Sequence, residues 1–290
     1  MAGNANGNLN TVVNQTSQNV ILNWNSFNIK AGESVLFQQP NSSSIVLNRV
    51  LRSDPSQIFG QLQANGQVFL LNPNGILFAR GAQVNVGALV ASIMNLSDAD
   101  FAARRFNFVG GNGGRVQNDG SLTARDGGYI SLLGQQVQNN GVITAKLGKV
   151  VQAGGQAVTL DVVGDGLVSA VVDQASVKAL VDNAGRIAAD GGLVETSGKQ
   201  VLQALGTMDA SACAGEGMHG VWLLDPNNIT IDAVGVNTNI SQTVGSFTST
   251  DDSAVLSNTS LGLALTASSS AAMSVAMARS SCWRMAPRPI

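Results

Sequence analysis

Charge is scarce in this chain of 290 residues: 16 Lys and Arg stand against 18 Asp and Glu, together 12% of the sequence, roughly half the usual ~25%. With a net charge of −2 and basic residues spread singly, the electrostatic footprint of a nucleic-acid binder is absent. So is the basic helix of a membrane-surface binder. The single histidine, His219, lies in the loop-like stretch 215–220 and reads as a solvated loop residue rather than the base of a Ser-His-Asp arrangement, and one histidine leaves no histidine-rich metal site. Two cysteines, Cys213 and Cys282, exclude a disulfide framework. No apolar run reaches the length of a membrane-spanning helix, and residues 1–10 carry neither the positive nor the apolar segment of a secretory signal.

Glycine and small apolar residues are abundant, with 33 Gly and 44% hydrophobic residues, so the chain has the means to fill a core. It also repeats itself. Val116-Gln117-Asn118-Asp119-Gly120-Ser121-Leu122-Thr123-Ala124 returns as Val137-Gln138-Asn139-Asn140-Gly141-Val142-Ile143-Thr144-Ala145, and again from Val181-Asp182-Asn183-Ala184-Gly185. The spacings are 21 and 44 residues, the second close to twice the first. A unit of this size with apolar residues two apart is too short for a βαβ element and suits one coil of a parallel β-solenoid. Glycine at the corners is read as serving positive φ, and asparagines in register predict a hydrogen-bonded ladder along the stack.

Eight of the nine phenylalanines, Phe27 to Phe108, fall in the first 108 residues. Bulky apolar residues at this end predict a cap over the open first coil, where core and strand edges would otherwise face water. Alternation predicts strands at 34–38, 44–48 and 66–70. Ser97 followed by Asp98 and Asp100, with Arg104 and Arg105 beyond, predicts a short capped helix with both arginines at its C-terminal end. Asn72-Pro73-Asn74-Gly75-Ile76 follows a strand pattern and reads as a tight corner, with Asn74 and Gly75 accepting φ > 0. Asp161, Asp165 and Asp173 are the carboxylates a β-helical polysaccharide lyase or hydrolase would use, and they read better as turn residues. Gly110-Gly111-Asn112-Gly113-Gly114 lacks the aspartate of a calcium-binding repeat. No metal or cofactor is expected.

Residues 15–17, 23–29, 47–50, 54–60, 64–68, 72–76 and 97–101, taken together, resemble the N-terminal secretion domain of filamentous-haemagglutinin-like adhesins and haemolysins of the two-partner secretion pathway. Residues 195–199 and 222–230 resemble segments met downstream in these proteins. The resemblance implies a right-handed parallel β-helix with an N-terminal β cap. It implies a protein that is not an enzyme and that reaches the cell surface or the medium through the periplasm. Its partner is an outer-membrane β-barrel transporter with periplasmic domains. The chain crosses extended and folds outside. Asn72, Pro73, Asn74, Gly75 and Ile76 then belong to the region the transporter reads, with Asn48 and Arg49 as additional recognition residues. An upstream Asn-Pro-Asn-Leu motif found in some members has only Gln39-Pro40-Asn41-Ser42 in its place, and that role is not assigned.

The expected organisation is a cap and secretion domain over 8–110, β-helix coils over 111–232, the start of a downstream region over 233–265, and a tail over 266–290. The tail's composition predicts disorder and reads as out of frame with the rest. The chain is expected to be a monomer that binds no nucleic acid, with a host receptor or glycan as its further partner class.

Overall fold

The computed structural model describes residues 10–111, 113–161, 169–174, 180–198, 201–204, 206–210, 221–226, 229–232, 240–243, 246–249, 254–257 and 272–275. The chain forms a parallel β-helix with three faces, and a full coil contributes one strand to each face. One coil runs Ser121–Ala124, Tyr129–Gly134, Gln136–Asn139, and the next runs Val142–Thr144, Lys149–Gly154, Leu180–Asn183. We call these faces A, B and C. Their strands pair in parallel, with Leu122 opposite Ile143, Ile130 opposite Val150 and Val137 opposite Val181. All six side chains are fully buried in one continuous interior core, each worth about 1.5–3 kcal/mol of apolar burial. The pairing begins with Asn10–Asn14 against Ser34–Gln38. It continues on face A to Thr207–Asp209 and on face B to Val221–Pro226.

The asparagine ladder is present. Asn118, Asn139 and Asn183 occupy equivalent places on successive coils of face C. Asn118 Nδ2 donates to Asn139 Oδ1 at 2.8 Å, and Asn139 Nδ2 donates to Asn183 Oδ1 at 2.7 Å, with all three buried. The ladder ends there because Ala204 follows in register, and Asn183 Nδ2 has no partner.

Three expectations are corrected. The 44-residue spacing is one coil rather than two, because Asn139 and Asn183 are direct neighbours. Its extra length leaves the stack as Ala157–Asp161 and Ser169–Gln174. Nor do the Asn-x-Gly corners use positive φ: Gly120, Gly141 and Gly185 have none. They are glycine because a Cβ on Gly141 would collide with the carbonyl oxygen of Gly120, and one on Gly185 with that of Gly141. A second column, Gly87, Gly128, Gly148 and Gly192, is packed in the same way at the corner between faces A and B. Lastly, the phenylalanines do not all serve the end of the core. Phe27, Phe37 and Phe78 enter the interior, whereas Phe69, Phe101, Phe106 and Phe108 form part of a second apolar cluster on the outside of face B. Phe59 remains 41% exposed.

That second cluster explains why face B does not alternate in burial: Ile45, Leu47 and Phe69 are as buried as their inward-facing neighbours, as in a sheet covered on both sides. The cover begins with the helix Asp98–Ala102, capped by Ser97, whose side chain accepts from Asp100 N. The helix is shorter than its charge pattern predicts. Arg104 and Arg105 lie beyond the C-cap residue Ala103, Arg104 at φ 55°, and Arg105 folds back to pair with Asp100 at 3.0 Å. The Ser97 hydrogen bond, with help from Arg105, holds the Asp100 carboxyl below its ordinary range. In the C-terminal part, Ala272–Val275 pairs in parallel with Val221–Pro226 on face B, where composition predicts no order. The remainder of 266–290 lies outside the described residues.

At the corner between faces A and B, Gly127 and Gly191 take φ of 73° and 67°, and Leu147 takes the same place at φ 51°. Leucine there carries the left-handed penalty of about 1–2 kcal/mol, and its side chain is 69% exposed. Leu147→Gly is therefore expected to stabilise the protein by about 0.5–1 kcal/mol after the greater chain entropy of glycine is subtracted. A rise in the urea midpoint at constant m-value checks this.

Candidate functional site

The 72–76 segment turns the chain from face B into face C, between the strands Gln67–Leu71 and Ile76–Phe78. Gly75 N donates to Asn72 O at 3.1 Å, closing the turn, and Gly75 takes φ 125°. Asn74 takes no positive φ, contrary to expectation. Asn72 is completely buried. Its Nδ2 donates to Asp54 O and to Ser56 Oγ, both at 3.0 Å, and its Oδ1 accepts from Asn74 N at 3.0 Å. Asn74 Nδ2 reaches Arg52 O at 3.0 Å. Both asparagines thus tie this corner to the same corner one coil earlier. Ile76 is buried in the interior core, and only Pro73 and Asn74 are partly open to solvent.

Asn48 and Arg49 fall on the preceding coil of face B, with Arg49 opposite Leu71, so they share an edge with the motif. Their side chains point to opposite sides of the sheet. Asn48 faces inward and is buried, accepting from Trp24 Nε1 at 2.9 Å and donating to Phe69 O at 3.3 Å. Arg49 faces outward. Its guanidinium donates to Leu96 O at 2.7 Å and pairs with Asp98 at 2.7 Å, holding the capped helix against face B.

Spacing did not reveal Arg52, Asp54 and Ser56 as the partners of the motif. They stand 16 to 22 residues before the asparagines they bind, and that distance, one coil, is the signal that could have found them. Among the described residues no reactive constellation accompanies the motif. Asp161 is exposed at the end of Ala157–Asp161. Asp165 and His219 lie outside the described residues, and for Asp173 only its place in Ser169–Gln174 is described. A cavity of about 170 Å³, bordered by Asn10, Glu33, Phe59, Gln61 and Gln83, is smaller than the usual ~300–1,000 Å³ of a small-molecule site. Among the described residues no three His, Cys, Asp or Glu come together as a metal site, and no helix is long and apolar enough to cross a membrane.

Comparison with known proteins adds four findings. The chain is 38% identical over 96 residues to a heme/hemopexin-binding protein of Haemophilus influenzae, a stretch covering 33% of this chain and 10% of that protein. It is 40% identical over 84 residues to the protein of that name in the Rd strain, covering 29% and 9%. This chain therefore matches about a tenth of the length of these relatives. The crystal structure of the HMW1 secretion domain from Haemophilus influenzae superposes with a TM-score of 0.60 at 25% identity, covering 78% of this chain and 67% of that one. The family described as TPS secretion domain matches residues 2–212. A parallel β-helix that carries this match over most of its length belongs to the TPS secretion domain family and is the secretion module of a two-partner exported protein.

Proposed function

We propose that this chain targets a large surface adhesin or haemolysin for export, and that its outer-membrane transporter reads Asn72, Pro73, Asn74, Gly75 and Ile76, with Asn48 and Arg49, before the chain folds. The burial of Asn72 and the internal use of its whole amide carry this reading. A folded coil offers a partner little of the motif beyond Pro73 and part of Asn74, whereas the extended chain offers all of it. Folding outside the cell then withdraws the motif into a corner of the helix. Scarce charge and few cysteines ease threading. Each coil formed outside buries apolar surface worth about 25 cal/mol per Å², which biases the chain outward without a nucleotide motor.

On this reading the chain is no enzyme and needs no cofactor, and a host receptor or glycan binds elsewhere in the natural protein. The chain itself acts as a monomer. The test places it behind an export signal, with and without the partner transporter. Release should require the transporter and should be lost in Asn72→Ala/Asn74→Ala, while the purified variant keeps its β-rich circular dichroism. Release that ignores the transporter would overturn the proposal.

A further inference from the structure

In a plain solenoid each coil touches only its neighbours, so coils open from an end one at a time. The second apolar cluster breaks that rule. After the strand Ala88–Ser92 the chain leaves the stack through the helix Asp98–Ala102 and the strand Phe106–Val109, which runs antiparallel to Ala157–Asp161. Phe106 stands opposite Leu160 and Phe108 opposite Val158, and Thr159 Oγ1 donates to Asn107 Oδ1, 52 residues away, at 3.2 Å. Ser169–Gln174 adds a third strand.

This small sheet, with the helix residue Phe101, shares one buried apolar cluster with Leu47, Phe69, Val90, Leu133 and Val151, one side chain from each of five successive coils of face B. Phe69 lies at its centre, with ring centroids 5.2 Å from Phe106 and 6.4 Å from Phe101. The Arg49 contacts with Leu96 O and Asp98 fasten the other end to Ile45–Val50, the first of these five strands.

We propose that this external sheet is a late-closing strap that locks five coils into one cooperative unit. The order of the chain sets the timing. Four of those coils are complete by Asn139, but the partner of Phe106–Val109 comes only with Ala157–Asp161. Until then the outside of face B is an apolar surface that is only partly covered. Once the strap docks, no coil beneath it opens without breaking the shared cluster. The consequence for export rests on the secretion reading above: a chain emerging N-terminus first would lock when about 174 residues are outside, and would then resist withdrawal.

Hydrogen exchange followed by mass spectrometry on the full chain, with no transporter present, tests the lock by itself. Val158→Ser/Leu160→Ser should speed exchange at least tenfold in Ile45–Val50, Gln67–Leu71 and Ala88–Ser92, far upstream of the change. Arg49→Gln, which leaves the strap's own apolar residues intact, should speed exchange in Ala157–Asp161. Acceleration confined to each mutated strand and its immediate partner would show that the sheet is a passive cover and overturn the proposal. That result would leave the secretion reading standing, and a failed secretion assay would leave the lock standing.

Discussion

Gly141→Ala destabilises the stack by about 3 kcal/mol or more, at the upper end of overpacking costs, whereas Gly127→Ala, at a neighbouring corner, costs about 0.5–1 kcal/mol, the left-handed penalty less the chain entropy that alanine saves. Gly141 has an ordinary φ but no room, since its new Cβ would run into the carbonyl oxygen of Gly120. A backbone carbonyl cannot swing aside as a flexible side chain would, so two coils must separate. Gly127 is the reverse, with φ 73° and nothing within 4 Å of its would-be Cβ. Urea unfolding of the two variants separates these causes. Equal small losses would mean that the coils are not held at the spacing described.

Asn139→Ala is the second large effect, with an expected loss of about 2–6 kcal/mol. It strands Asn118 Nδ2 and Asn183 Oδ1 together, both fully buried, at about 1–3 kcal/mol for each unsatisfied group. Asn183→Ala is milder, about 1 kcal/mol. It orphans Asn139 Nδ2 but also removes Asn183 Nδ2, which already lacks a partner. Calorimetric melting should therefore rank Asn139→Ala well below Asn183→Ala. The opposite order would show that the ladder is not the continuous hydrogen-bonded column it forms here.

The parts of this fold that repeat locally were legible in the sequence. The Val-x-Asn-x-Gly phrase carries inward apolar residues, a buried amide and a corner, and each recurs in register on the next coil. The strand pattern at 34–38 is legible because its alternation is the physics of a sheet with one face inside, whereas Gln67–Leu71 is a strand covered on both sides. Contacts between distant segments were not legible. Phe69 and Phe106 read as cap material because nothing in their local pattern says that an external sheet will cover face B. The glycines of the corners were correctly placed for the wrong reason, since composition shows that glycine is needed but cannot distinguish positive φ from close approach. The 72–76 motif was recognisable as a turn, yet its anchors Arg52, Asp54 and Ser56 became evident only once the coil length set which residues stack.

The comparison that bears most directly on export is between Asn72→Ala and Ser56→Ala, each measured for stability and for transporter-dependent release. Both remove the hydrogen bond between Asn72 Nδ2 and Ser56 Oγ; Asn72→Ala also removes those to Asp54 O and from Asn74 N, so it should lower stability by about 2–4 kcal/mol against about 1 kcal/mol for Ser56→Ala. If the transporter reads the motif in the unfolded chain, Asn72→Ala loses release at least tenfold while Ser56→Ala is released at nearly the wild-type rate. Loss of release in both variants, in proportion to their loss of stability, would contradict the account and leave Asn72 as a coil corner alone.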